Sequence, residues 1–270
     1  MKNLIGKVAA VTGAGSGIGR ALALELAAQG CRIAAADINM PALEEIGALL
    51  EARGADCSLH LVDVSEAASV QAFADAVVSE HGAVHILINN AGINLQKSFE
   101  HHSLDDWQRV LGVNLWGVIY GCTFFLPHLR RSASAHIVNL SSMAGFCGLP
   151  SQSSYCASKA AVKALNESLW AELAVDGIGV TSVHPGAVVT NMIPASLLEA
   201  DNKAVARHNY ALVKKFGMSP ERAAKIIVRA VRTNRQRVRV GPDAVLLDLL
   251  KRLFPVLIHR PMVKLFRMFR

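Results

Sequence analysis

The sequence predicts an α/β protein, a single domain built on a doubly wound parallel sheet flanked by helices. Three observations carry this. Residues 8–11 form a short apolar run that ends in Thr12-Gly13-Ala14-Gly15-Ser16-Gly17-Ile18-Gly19 and passes into a helical pattern. Further short apolar runs alternate with helical patterns at about 25-residue spacing, as strands joined by crossover helices do. Of the 270 residues, 52% are hydrophobic and only 6% aromatic, so a large core can be made mainly from small aliphatic side chains that let helices lie close on a sheet.

Each element follows from its residues. Residues 8–11 are continuously apolar, as a strand buried on both faces must be. In the turn that follows, Gly13 permits the tight bend and Gly17 lets backbone approach a pyrophosphate at the helix N-terminus. Gly19 allows helix and strand to pack closely. A glycine-rich turn without a ligand is the competing reading. Ile18, Leu22 and Leu26 set the first helix, which stops at Gly30. A second strand over residues 31–36 ends at Asp37, 18 residues past Gly19, close to the spacing of an acid that binds an adenosine ribose. That carboxylate would accept from both ribose hydroxyls and repel a 2′-phosphate. Neither Ser16 nor Ile38 is basic, so NAD is favoured over NADP. Asp37 could instead cap the next helix, near Pro41.

Residues 59–62 make the third strand, leading to Asp63 and Val64, with Ser65 as cap of a helix over 66–80. Residues 84–88 make the fourth and run into Asn89-Asn90-Ala91-Gly92. One long helix is expected over 104–129. Asn114 lies inside it, and Asn is a mediocre helix residue, so it either faces solvent or acts locally. The fifth strand, 137–140, ends in Ser141-Ser142 and is followed by an irregular apolar loop over 143–150. The sixth, 181–183, ends in His184-Pro185-Gly186, ahead of Val188 and Thr190. From 191 to 218 the pattern weakens to one or two mobile helices. Ser219-Pro220 opens another helix, and Arg237-Val238-Arg239-Val240 is the last strand. Ligands of such a sheet sit beyond the strand C-termini, where these motifs fall.

Tyr155-Cys156-Ala157-Ser158-Lys159 opens a long apolar-periodic run over 160–174. In a helix Tyr155 and Lys159 share a face, one turn apart. A tyrosine needs about 4 kcal/mol of phenolate stabilisation to titrate at about 7 rather than about 10. A cation about 4 Å away, at an effective dielectric of about 20, supplies about that much. Taken alone, such a pair is in most cases two ordinary neighbours on a helix surface.

In this order, the turn at 12–19, Asn89-Asn90-Ala91-Gly92, Ser142, Tyr155, Lys159 and Pro185-Gly186 resemble the short-chain dehydrogenase/reductase family, over about residues 7–241. The resemblance implies a Rossmann-like NAD(P)-binding domain over residues 1–242 and an enzyme that interconverts alcohols and ketones. It implies Tyr155 as general acid/base, with Lys159 lowering its pKa and bonding the nicotinamide ribose. Ser142, 13 residues before Tyr155, would hold the substrate oxygen; Ser141 competes at a spacing one too long. Asn114 would hold a water in the proton relay. Gly13, Ser16, Ile18 and Gly19 would surround the pyrophosphate, Asp37 the ribose, Asp63 and Val64 the adenine, and Asn90 the adjacent sugar. Pro185, Gly186, Val188 and Thr190 would flank the nicotinamide. The resemblance also implies a homodimer or homotetramer through the helices that carry Asn114 and Tyr155. A cofactor-binding scaffold or redox sensor of the same fold is the alternative reading, and the intact Ser142, Tyr155 and Lys159 argue against it.

Phe146, Leu149, Met192, Ile193 and Leu197 are apolar and the loop 143–150 has no Lys or Arg, which suits a lipophilic alcohol or ketone; core packing explains some of them as well. Five scattered cysteines show no metal spacing and fit a reducing, cytoplasmic setting. No metal site is expected, nor a secretory leader or membrane-spanning helix. The net charge of +7 gathers in five arginines between residues 229 and 239, and in six Lys or Arg between 251 and 270. Residues 243–270 form a basic amphipathic tail that either lies on a membrane surface or packs on the body or a second subunit. Nucleic acid is disfavoured, because hydrophobic residues outnumber cations there.

Overall fold

The structure, a computed structural model, describes residues 1–261 and 263, with the backbone only at Ile193. Among these, seven strands form one sheet: β1 (Val8–Thr12), β2 (Arg32–Asp37), β3 (Cys57–Leu61), β4 (Ile86–Asn89), β5 (His136–Leu140), β6 (Gly179–Pro185) and β7 (Arg237–Val240). Their order is β3-β2-β1-β4-β5-β6-β7, and every pairing is parallel. The helices are α1 (Gly17–Ala28), α2 (Met40–Glu51), α3 (Ala67–His81), α4 (Leu104–Leu111), α5 (Gly117–Arg130), α6 (Ser153–Leu173), α7 (Met192–Leu198), α8 (Lys203–Phe216), α9 (Pro220–Arg232) and α10 (Pro242–Leu253).

Strand alternation divides the core into two layers. Ala9 and Val11 of β1 pack with Leu22 and Leu26 of α1, Ile46 of α2 and Ile227 of α9. Val8 and Ala10 face the other way, onto Phe73 of α3, Phe125 of α5 and Val162 of α6. Chain direction across the sheet reverses between β1 and β4, which opens a crevice beyond their C-terminal ends. Thr12 closes the floor of that crevice. Its hydroxyl accepts the N–H groups of Asn90 and Ala91 at 3.0 and 3.1 Å.

Three expectations need correction. The third strand starts two residues before its apolar run and ends one residue short of it; β3 is an edge strand and Leu61 is exposed. Ser65 does not cap α3; its hydroxyl instead donates to Asp63 Oδ1 at 2.6 Å. The long helix is two helices joined by a π turn over Gly112–Trp116. A π turn inserts one residue into the helical repeat, and here it rotates Asn114 to the inside, where it is fully buried.

The expected tail is partly integrated into the domain. Asp243 and Asp248 of α10 face the body, and Asp248 is buried. Arg239 and Arg252 hold Asp248 at 3.0 and 3.1 Å, with Arg237 at 3.6 Å. Two of the five clustered arginines are therefore structural counter-ions. Met262, Leu265, Phe266, Phe269, Lys264, Arg267 and Arg270 lie outside the described residues.

Candidate active site

The glycine turn is shaped for a diphosphate. Gly13 has φ +64°, and a Cβ there would stand 2.8 Å from Asn90 Nδ2. Gly17, at φ +51°, begins α1, and Thr190 lies 3.1 Å from where its Cβ would be. Gly19 packs directly on the Gly13 carbonyl. Ser16 makes no side-chain cap, and the first turn of α1 holds no acid. The positive end of the helix is thus left to an anion.

Asp37 borders the same loop. Its Oδ2 accepts Gly15 N–H at 2.9 Å and its Oδ1 accepts Asn39 N–H at 3.0 Å. Asn39, not Asp37, caps α2. Asp63 is turned on Ser65 by two hydrogen bonds to Oδ1, and Val64 is buried against Gly117. Asn90 Nδ2 donates to the carbonyls of Thr12 and Gly13 at 2.9 and 3.1 Å, so this amide builds the glycine turn. These residues fit a dinucleotide: a backbone cradle that a side chain would fill, a helix N-terminus without its own anion, and a carboxylate at its rim.

On α6, Tyr155 is half-buried, and Ser142, at the end of β5, lies near enough to its hydroxyl to favour the phenolate. Ser141 points elsewhere, its hydroxyl donating to the Lys159 carbonyl at 2.7 Å. Lys159 is buried, its Nζ donating to the Leu140 carbonyl at 2.9 Å and standing 5.8 Å from the centre of the Tyr155 ring. Burial lowers its pKa to about 8. Burial also raises the pKa of Tyr155, opposed by the nearby Ser142 hydroxyl.

Asn114 joins this group from the π turn. Its Oδ1 accepts Ile93 N–H at 2.8 Å, and its Nδ2 donates to the Ile93 carbonyl and to Ser158 Oγ at 2.9 and 3.1 Å. Both amide hydrogens are engaged, leaving a water the second lone pair of Oδ1. Gly92 lies between Asn114 and Lys159. A Cβ there would stand 3.2 Å from Asn114 Oδ1 and 3.4 Å from Lys159 Nζ.

Sequence reading missed two supports. The first is a chain of buried side chains in which each donates to the next. It runs from Asn89 to Asn139 (2.7 Å), to Asn166 (2.7 Å), to Ser182 (3.1 Å) and to His184 (2.9 Å). His184 Nδ1 then meets the Ser142 carbonyl at 3.2 Å, which assigns the proton to that nitrogen, since a carbonyl can only accept. Burial holds His184 neutral, with a pKa of about 4. The signal available in the sequence was an Asn inside the apolar run of the fifth strand and another inside the Tyr155 helix. Phe146, expected at the substrate, stacks on His184 at 4.3 Å, with Arg237 on its ring at 5.4 Å. It braces the loop. The side chain of Ile193 lies outside the described residues.

The second is Asp243. Its carboxylate accepts Ala187 N–H at 2.6 Å and lies against Gly186, so α10 holds the loop that runs from Pro185 to Thr190. Asp243→Ala is expected to weaken NADH binding about tenfold, since an unpaired buried N–H costs about 1–3 kcal/mol. Fluorescence titration checks this; unchanged affinity would show that Asp243 serves stability alone.

The model for the family described as short chain dehydrogenase matches residues 7–200. The chain belongs to the short-chain dehydrogenase family. It is accordingly an oxidoreductase of CH–OH groups that uses a nicotinamide cofactor. It is 41% identical to D-threitol dehydrogenase of Mycolicibacterium smegmatis, over 70% of this chain and 73% of that one. It is 38% identical to cyclohexanol dehydrogenase of an Acinetobacter species, over 69% and 75%. A short-chain dehydrogenase/reductase from Burkholderia phymatum, crystallised in complex with NAD, superimposes with a TM-score of 0.88 at 33% identity, covering 96% of this chain and 97% of that one.

Proposed function

We propose that this enzyme interconverts a lipophilic secondary alcohol and its ketone with NAD(H), using Tyr155 as general acid/base. The observation that carries the reading is the convergence of Ser142, Tyr155 and a buried Lys159, whose Nζ stands 5.8 Å from the centre of the Tyr155 ring. When bound, the nicotinamide ring supplies the hydride acceptor or donor. In oxidation Tyr155 takes the alcohol proton as the C–H bond breaks, and Ser142 donates to the substrate oxygen. Lys159 holds positive charge behind the forming carbonyl, and Lys159 and Asn114, on either side of Gly92, hold the way out for the proton. Reduction reverses each step. General acid/base transfer of this kind contributes about 10²–10⁴-fold.

Relatives at similar distance act on a polyol and on a ring alcohol, so the substrate class rests on the lining. Met192 of α7 comes within 3.7 Å of the Cβ position of Gly92, and Leu149 and Leu197, half-buried, are the further apolar candidates. The helix α7 is latched over this side: Gln96 Nε2 donates to Ser196 Oγ at 3.1 Å, and Asp201 accepts Ser98 N–H at 2.7 Å. A panel of secondary alcohols with NAD, followed by NADH absorbance, tests the reading. Turnover of cyclic and long-chain alcohols above polyols is expected. Turnover of polyols alone overturns the substrate class, and tight NAD binding with no turnover of any alcohol favours the scaffold.

NAD rather than NADP is read from the Asp37 carboxylate at the cradle. Asp37→Asn keeps an acceptor for Gly15 but removes the charge. We expect it to narrow the preference for NAD about tenfold, the scale of one charged hydrogen bond. Tighter NADP than NAD binding in the unaltered chain would refute the argument. Self-association is read from an aromatic ladder that runs from the π turn into α5, where Trp116, Tyr120 and Phe124 follow at 5.8 and 6.3 Å; Trp116 is exposed, and Tyr120 and Phe124 are half-buried on the core.

A further inference from the structure

The catalytic reading leaves the outer face of α10 unexplained. Its inner face is settled: Ala244 and Asp248 are buried on the body. On the opposite side Leu246, Leu249, Leu250 and Leu253 recur at helical spacing and stand exposed, Leu246 by 58% and Leu253 by 69%. Beyond the helix the same character continues through Phe254, Val256, Leu257 and Val263, with Val256 exposed by 75%. Four adjacent leucines turned to solvent are not normal surface; contiguous apolar patches of this kind mark interaction sites.

Charge selects the occupant. From Leu249 to Arg270 the sequence holds six Lys or Arg and no acid. The nearest acid, Asp248, is buried and already shared by Arg237, Arg239 and Arg252. Arg260 is exposed beside the apolar residues. A second copy would meet this face isologously, cations against the same cations with no acid between them. An apolar stripe with the exposed cations Arg252 and Arg260 beside it, and more Lys and Arg following in the sequence, complements a surface that is apolar below and anionic above. We propose that the outer face of α10, with residues 254–261 and 263, docks the enzyme on an anionic lipid surface.

The full-length protein is floated on a density gradient with vesicles of phosphatidylcholine, alone or mixed with phosphatidylglycerol. Co-flotation with the anionic vesicles is expected, weaker by more than about tenfold with phosphatidylcholine alone, and lost at high salt. The double variant Leu249→Glu and Leu253→Glu is expected to stay behind while keeping its turnover of NADH. Arg260→Glu, which leaves the apolar face whole, is expected to weaken flotation and guards against misfolding of the double variant. Absence of flotation overturns the proposal, as does flotation of the double variant equal to that of the unaltered chain. If sedimentation instead shows a self-association that the double variant abolishes, a second copy covers the face and lipid does not.

Discussion

Tyr155→Phe is expected to lower kcat by about 10²–10⁴-fold, the range of a general acid/base group. NADH binding is expected to stay within a few-fold of the unaltered protein. The substitution removes one oxygen and keeps the ring, so the packing of α6 is unchanged. What is lost is the group that receives the proton, the hydroxyl beside Ser142. Because burial raises the tyrosine pKa, alcohol oxidation by the unaltered enzyme should rise with pH as the phenolate forms, and the residual rate of the variant should not follow that rise. Steady-state kinetics in both directions, with a fluorescence titration of NADH, check both parts. Activity kept by Tyr155→Phe would remove tyrosine from the mechanism.

The parts of the molecule that were legible in sequence are those where local chemistry dictates local form. The glycine turn read correctly because Gly13 and Gly17 need positive φ and Gly19 needs the absence of a Cβ, and all three needs are marked by residue type. Ser219 and Pro220 read correctly as a helix start because capping is a contact between near neighbours, here Ser219 Oγ and Arg222 N–H. Ser65 failed by the same logic, since its hydroxyl found the nearer carboxylate of Asp63. What stayed hidden depends on partners far along the chain. The π turn at Asn114 has no signature in residue type; it exists because the amide is paired with the backbone of Ile93, 21 residues away. The relay from Asn89 to Ser142 crosses β4, β5, α6 and β6, and no window of sequence contains it. Asp243 looked like the first residue of a tail, yet it holds the loop at Ala187, 56 residues earlier.

Lys159→Met is expected to remove turnover while taking away a pH dependence of stability that the unaltered chain carries. In the folded chain burial lowers the Lys159 pKa from 10.5 to about 8. Between those values the unfolded chain holds a proton that the folded chain has released, so stability rises with pH across the window. Below about pH 8 both states are charged, and the folded state bears the whole cost of an ammonium out of water. That cost is about 3 kcal/mol, at 1.36 kcal/mol per tenfold change in the ionisation constant. Methionine is of similar shape and has no charge to desolvate. The variant leaves the Leu140 carbonyl without its donor, which costs about 1–3 kcal/mol, but that loss is independent of pH and does not alter the slope. Urea midpoints of the two proteins should therefore differ most in favour of the variant below pH 8, with the difference shrinking as pH approaches 10.5. Parallel curves would show that Lys159 is not desolvated, and would undo the assignment of its charge to the site. Retained turnover would undo its role. The two outcomes are separable because one is read without cofactor and the other with it. A buried, unneutralised ammonium that weakens the fold and persists one turn from Tyr155 is what a site kept for chemistry rather than for stability looks like.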